Sequence, residues 1–183
     1  ILQMLDDPDV HILRVVSSAI PQLMRFYRTS GKNQEVDIQE AIKSAFQDED
    51  TQVQKNMLEY YRFFSKWITP QLLLPILKEE DTQLQLRALE AAHRTLQDDS
   101  FVRITGSLIE HDDHRVRRRL ARYMPTNNKE KVLAYSTRLS KDANPNVAAL
   151  AIRNLIKIGK FSEWDRLERL LASPELDGEI GVE

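Results

Sequence analysis

Six short stretches of this chain align without gaps: "DDPDVHI" (6–12), "QDEDTQV" (47–53), "KEEDTQL" (78–84), "HDDHRV" (111–116), "DANPNV" (142–147) and "ELDGEI" (175–180). Each closes on an aliphatic anchor, namely Ile12, Val53, Leu84, Val116, Val147 and Ile180, and the anchors stand 41, 31, 32, 31 and 33 residues apart. Three positions before each anchor is a helix-capping residue type: Asp9, Asp50, Asp81, Asp113, Asn144 and Asp177. A short carboxylate or amide at that place accepts hydrogen bonds from the free N–H groups of a first helical turn. Pro145 follows Asn144 at the first helical position, where a missing N–H costs nothing. A recurrence of this kind restricts the fold more than composition does, because it means one supersecondary unit used again and again.

The residues around each anchor complete the unit. Apolar or small residues return four and eight positions on: Val16 and Ile20, Met57 and Tyr61, Ala88 and Ala92, Leu120 and Met124, Ala151 and Leu155. That spacing is one face of a helix. Ahead of the capping turns lie further amphipathic stretches at 36–46, 70–78, 100–109, 129–139 and 162–171. Each copy is therefore a first helix, a short acidic turn and a second helix. Breakers at 29–33, 68–71, 97–100, 125–128 and 158–162 separate the copies, and the extra length of the 41-residue step is assigned to a longer connection at "TSGKNQ". With five glycines and β-branched residues scattered at helical spacing, strands have no support. The chain is predicted to be all-α.

The D-x-x-[VIL]-x-x-x-[small or apolar] signature resembles the HEAT-repeat family, particularly its short bacterial HEAT-like form, over nearly the whole chain. The resemblance implies an α-α superhelix, a HEAT-like solenoid of about five helical pairs plus a partial sixth, in one repeat domain spanning 1–183. In that family an arginine commonly follows the anchor and supports a ladder of Asp–Arg contacts. Here the position holds Leu13, Gln54, Gln85, Arg117, Ala148 and Gly181, so only Arg117 fits. Ile1 lies inside an apolar pattern, and the chain stops three residues after the sixth anchor. Both ends lead us to expect further repeats or other domains in a parent protein.

Charge is the next constraint. Lys and Arg number 26 against 28 Asp and Glu, a formal net charge of −2, so any electrostatic function must come from local segregation. The densest cluster is "DDHRVRRRLARYM" (112–124). At about 100° per residue from Val116, the core side holds Leu120 and Met124, while Arg115, Arg118, Arg119 and Arg122 fall opposite. Arg117 falls at the edge and is expected to face a neighbouring copy. The family resemblance implies that second helices line a concave face. Lys55, Arg87, Arg94, Arg153, Lys157 and Phe63 join the arginines there, while Asp6, Asp7, Asp48, Glu49, Glu79, Glu80, Asp112 and Asp113 crowd the turns. The expectation is a basic groove beside an acidic ridge. Arg115, Arg118, Arg119 and Arg122 repel one another at three- and four-residue spacing with no acid on their own helix, which points to a partner. Trp67 and Trp164 are expected in the core.

Catalytic and cofactor signals are missing from the sequence. There is no cysteine, no HExxH, GxSxG, GxGxxG or GxxxxGK[ST], and "HDDH" (111–114) coincides with a repeat turn whose Asp113 is the cap. We expect no enzyme, no cofactor and no metal. The leading expectation is a protein–protein interaction scaffold whose basic groove binds an acidic protein or peptide segment. Nucleic-acid binding by the same groove is the alternative, and a chromophore-lyase-like HEAT protein is a second one drawn from family analogy. No apolar run approaches a membrane span, so direct membrane insertion is not expected and a cytoplasmic setting is.

Overall fold

A computed structural model describes residues 4–5, 7–30, 35–125, 129–174 and 176. Among them the regular structure is entirely helical. The α-helices are α1 (Val10–Ser18), α2 (Ile20–Ser30), α3 (Glu35–Phe46), α4 (Thr51–Glu59), α5 (Pro70–Ile76), α6 (Thr82–Thr95), α7 (Asp98–Thr105), α8 (His114–Tyr123), α9 (Lys129–Leu139), α10 (Pro145–Lys157) and α11 (Trp164–Leu171). None of the described helices is long and apolar enough to cross a membrane. The chain divides into two compact units, Ile1–Leu96 and Gln97–Glu183.

The five capping residues that fall in the described part open helices as the repeat predicts. Asp9 accepts from the His11 N–H, Asp50 from Gln52 and Val53, Asp81 from Gln83 and Leu84, Asp113 from Arg115, and Asn144 from Asn146 and Val147. Asp177 and the anchor Ile180 lie outside the described residues. Four of the five described anchors, Val53, Leu84, Val116 and Val147, are wholly buried, and Ile12 is half-buried. The residues four and eight positions beyond them are buried in every described copy.

In the N-terminal unit α4 packs on α1, α3 and α6, and α5 packs on α6. In the C-terminal unit α10 is the central element, packed on α8, α9 and α11. It buries Ala148, Ala149, Leu150, Ala151 and Ile152 in succession, so its burial extends well beyond a single stripe. The first helix of the fourth copy, α7, tightens after Thr105 into a 3-10 turn over Gly106–Glu110. A Cβ at Gly106 would meet the Tyr135 hydroxyl of α9, which would have to shift.

α2 follows α1 after a break at Ala19, with Pro21 in its first turn, and takes in Thr29 and Ser30; residues 31–34 of the expected connection "TSGKNQ" lie outside the described residues. Two expectations need correction. The second helix of copy two stops at Glu59. The chain continues as 3-10 turns at Tyr61–Phe63 and Ser65–Trp67, which place Phe64 in the core edge-on to Phe46 with ring centroids 5.6 Å apart. Neither tryptophan is fully buried. Trp164 is 55% exposed, packed edge-on against Phe161, and Trp67 is half-buried beneath the Lys66 ammonium.

Candidate binding face and its ion pairs

The turns between first and second helices are built by two successive side-chain brackets. Five residues before the anchor, Asp7, Asp48, His111 and Asp142 each accept a hydrogen bond from the backbone N–H of the capping residue two positions on, at 2.7–3.0 Å. The capping side chain then accepts from the helix. His111 does the work of an aspartate through Nδ1, so the "HDDH" stretch is a turn of the common design. One position past the anchor, a donor ties down carbonyls of the same turn. Gln54 Nε2 donates to Asp48 O at 2.8 Å, Gln85 Nε2 to Leu77 O at 3.3 Å, and Arg117 Nη1 to His111 O at 2.5 Å and Asp112 O at 2.8 Å. Glutamine therefore replaces arginine at this position for the bond within the turn.

Arg117 also does what only a cation fork can do. Its Nε and Nη2 grip the two Asp142 oxygens at 2.6 and 2.9 Å, with the side chains 16% and 6% exposed. This is the contact between neighbouring copies that the sequence predicts for Arg117. Burial opposes the Asp142 charge, but the Arg117 guanidinium and the Asn144 N–H outweigh it and leave the pKa below the ordinary value. Beside it Arg138 holds Glu110 at 2.7 Å. The two pairs line an open polar cleft of about 340 Å³ whose charges are largely matched within its own walls.

A second set of pairs was not legible as such in the sequence. Two residues past the anchor, Arg14 reaches the cap of the next copy, Asp50, at 2.6 Å, and Lys55 reaches the cap Asp81 at 2.5 Å. Arg87, three past its anchor, reaches back to Glu59 of copy two at 3.0 Å. The turn acids thus serve as caps and counter-ions together, and both Asp50 and Asp81 have pKa values lowered chiefly by these cations. Basic groove and acidic ridge are not segregated in the N-terminal unit: Lys55 and Arg87, expected to be open to a partner, are engaged by carboxylates.

Arg115 needs the same correction. It does not lack an acid but clamps the cap Asp113 of its own helix, Nε to both oxygens at 3.1 Å and Nη2 at 2.7 Å. The residue of copy three equivalent to Arg14 and Lys55 is Leu86, which carries no charge, and Asp113 takes its cation from Arg115 within copy four. The Arg115 guanidinium is the main cause of the lowering of the Asp113 pKa to about 2, with burial opposing and the Arg115 N–H assisting.

The remaining predicted site residues fall as follows. Arg118 and Arg119 are half-buried on α8, and Arg119 lies against Tyr123, 5.6 Å from the ring centroid and 3.2 Å from its hydroxyl. Arg122 is exposed at the last turn of α8. On α10 Arg153 is half-buried and Lys157 exposed. Arg94 is exposed on α6 in the N-terminal unit, and Phe63 is half-buried in the 3-10 turn, off the helical face assigned to it. Among the described residues, Arg94, Arg122, Arg153 and Lys157 have no carboxylate partner. Arg122, Arg153 and Lys157 share the α8–α10 part of the C-terminal unit.

No family model and no curated protein matches the sequence. Among solved structures, the chain is similar to the crystal structure of an engineered protein from the Northeast Structural Genomics Consortium. The TM-score is 0.58 at 16% identity, covering 98% of this chain and 90% of that one. At that identity the likeness is one of fold alone.

Proposed function

We propose that this chain is a non-catalytic interaction scaffold, its helical pairs stacked as a HEAT-like superhelix, and that the α8–α10 face binds an acidic segment of a protein partner. One observation carries the reading. In the N-terminal unit Arg14, Lys55 and Arg87 of the second helices each have a carboxylate and Arg94 alone has none among the described residues, whereas Arg122, Arg153 and Lys157, likewise without one among them, gather on the packed pair α8 and α10. Like charges gathered without counter-ions destabilise the helices that bear them, and an anionic partner removes that cost. The recurring caps and turn brackets support the stacked arrangement, since each copy repeats the same local construction.

The test is binding of the full chain to a degenerate Asp/Glu-rich peptide library against a Lys/Arg-rich one, over a range of salt. The acidic library is expected to be retained and released as salt rises, and the Arg122→Glu/Arg153→Glu/Lys157→Glu variant is expected to lose it. Equal retention of both libraries, or undiminished binding by the reversed variant, sinks the reading. Duplex DNA run in parallel tests the nucleic-acid alternative through its steep salt slope.

A further inference from the structure

Six positions beyond the anchor, copies two and three carry the opposite charge to copies four and five, and copy one carries the neutral Ser18. Copies two and three have Glu59 and Glu90, and copies four and five have Arg122 and Arg153. Between α8 and α10 the register is fixed by a buried hydrogen bond, Asn154 Nδ2 to the Ala121 carbonyl at 2.8 Å. Arg153 immediately precedes that asparagine and Arg122 immediately follows that alanine, so the two arginines flank one contact between neighbouring helices. Lys157 stands one helical turn beyond Arg153 on the same helix.

The two guanidiniums differ in surroundings. Arg122 is exposed, whereas Arg153 is half-buried with its Nε shut off from water and without an acceptor among the described residues. A cation already withdrawn from water gains more from an incoming anion than a solvated one, because the desolvation has been met in the unbound state. The N-terminal unit shows what single carboxylates do in this architecture: each engages one cation, Asp50 with Arg14, Asp81 with Lys55 and Glu59 with Arg87. Two guanidiniums and an ammonium on one packed pair of helices call for more. A phosphate monoester carries about −1.5 to −2 charges and three acceptor oxygens, enough for two guanidinium forks at once.

We infer that the α8–α10 face takes a phosphorylated serine or threonine side chain of its acidic partner, the phosphate seated between Arg122 and Arg153 with Lys157 beside it. This rests on the acidic-segment reading above and names the group within that segment which the face selects. Asp or Glu alone fills one guanidinium; the phosphate fills both.

The experiment offers the full chain two degenerate acidic peptide libraries that differ only in a fixed central serine, unmodified or phosphorylated. The phosphorylated library is expected to bind about tenfold more tightly. Arg122→Gln and Arg153→Gln are each expected to erase that preference while leaving the far-ultraviolet circular dichroism unchanged. Arg153→Lys, which keeps the charge but removes the fork, is expected to retain binding with a reduced preference. Equal binding of both libraries by the native chain overturns the phosphate inference and leaves the acidic-segment reading standing. Binding of neither library sinks both. A preference that persists in both glutamine variants places the phosphate elsewhere and overturns the assignment.

Discussion

The two units use one local design and spend their charges differently. In the N-terminal unit three cations of the second helices are paired with carboxylates, Arg14 with Asp50, Lys55 with Asp81 and Arg87 with Glu59, and Arg94 on α6 stands alone among the described residues. In the C-terminal unit one deep pair, Arg117 with Asp142, joins copies four and five, and Arg115 clamps its own cap. The counterpart of Asp50 and Asp81 in copy five is Asn144, an amide that caps α10 equally well but brings no charge. The lesson is that capping and charge balance are separable. Aspartate supplies both and asparagine supplies only the first, so one substitution type alters the electrostatics of a helix face without altering the fold.

The comparison can be broken most forcefully at the core. Phe64→Ala removes the aromatic corner of the N-terminal unit and is expected to cost about 3–5 kcal/mol, as large-to-small changes at fully buried aromatics do. Each unit contains one tryptophan, Trp67 and Trp164. Denaturant unfolding followed by fluorescence in single-tryptophan variants reports which unit is affected, and an effect seen only at Trp164 contradicts the assignment.

Arg117→Ala comes next. It strands the Asp142 carboxylate, 6% exposed, and is expected to cost about 3 kcal/mol. Arg14→Ala, on a pair whose arginine is 48% exposed, is expected to change stability much less. Equal effects from the two substitutions erase the distinction between a deep and a peripheral pair. Gly106→Ala pushes a methyl group against the Tyr135 hydroxyl and is expected to cost about 1–3 kcal/mol, with Tyr135→Phe in the same chain restoring part of the loss.

The smallest expected effects concern protons. Asp113, with its pKa lowered to about 2 in the folded chain, is ordinarily near 3.9 when unfolded. Because the folded value is the lower one, its stabilisation is full above about pH 4 and fades as the pH falls toward 2. Asp50, Asp81, Asp142 and Glu110 shift in the same direction. Acid unfolding should therefore begin below about pH 4. Arg115→Gln is expected to flatten the contribution of Asp113, visible as a weaker dependence of melting temperature on pH in that window. An unchanged profile removes Arg115 from the account.

How far the sequence reaches can be judged residue by residue. The caps Asp9, Asp50, Asp81, Asp113 and Asn144 and the buried face from Val116 to Met124 were legible because each depends on neighbours within a few positions along one helix. The brackets of Asp7, Asp48, His111 and Asp142 were equally local. Their signal is an acceptor five residues before the anchor, which recurs in the same stretches but varies between aspartate and histidine. Trp164 was misplaced because an aromatic at helical spacing signals burial only where another element covers it. Phe63 leaves the helical face because α4 ends at Glu59 and a 3-10 turn breaks the 100° periodicity before it.

The sequence by itself determined the helical period, the helix starts and the stripe that each second helix buries, since these follow from hydrogen bonds and side-chain spacing inside one copy. Only the tertiary structure decided which charges meet. Arg14 and Asp50 are 36 residues apart and Arg117 and Asp142 are 25 apart. Long flexible cations choose among several carboxylates according to which neighbouring helix comes within about 4 Å, and that distance is set by packing between copies, which no count along a single helix contains.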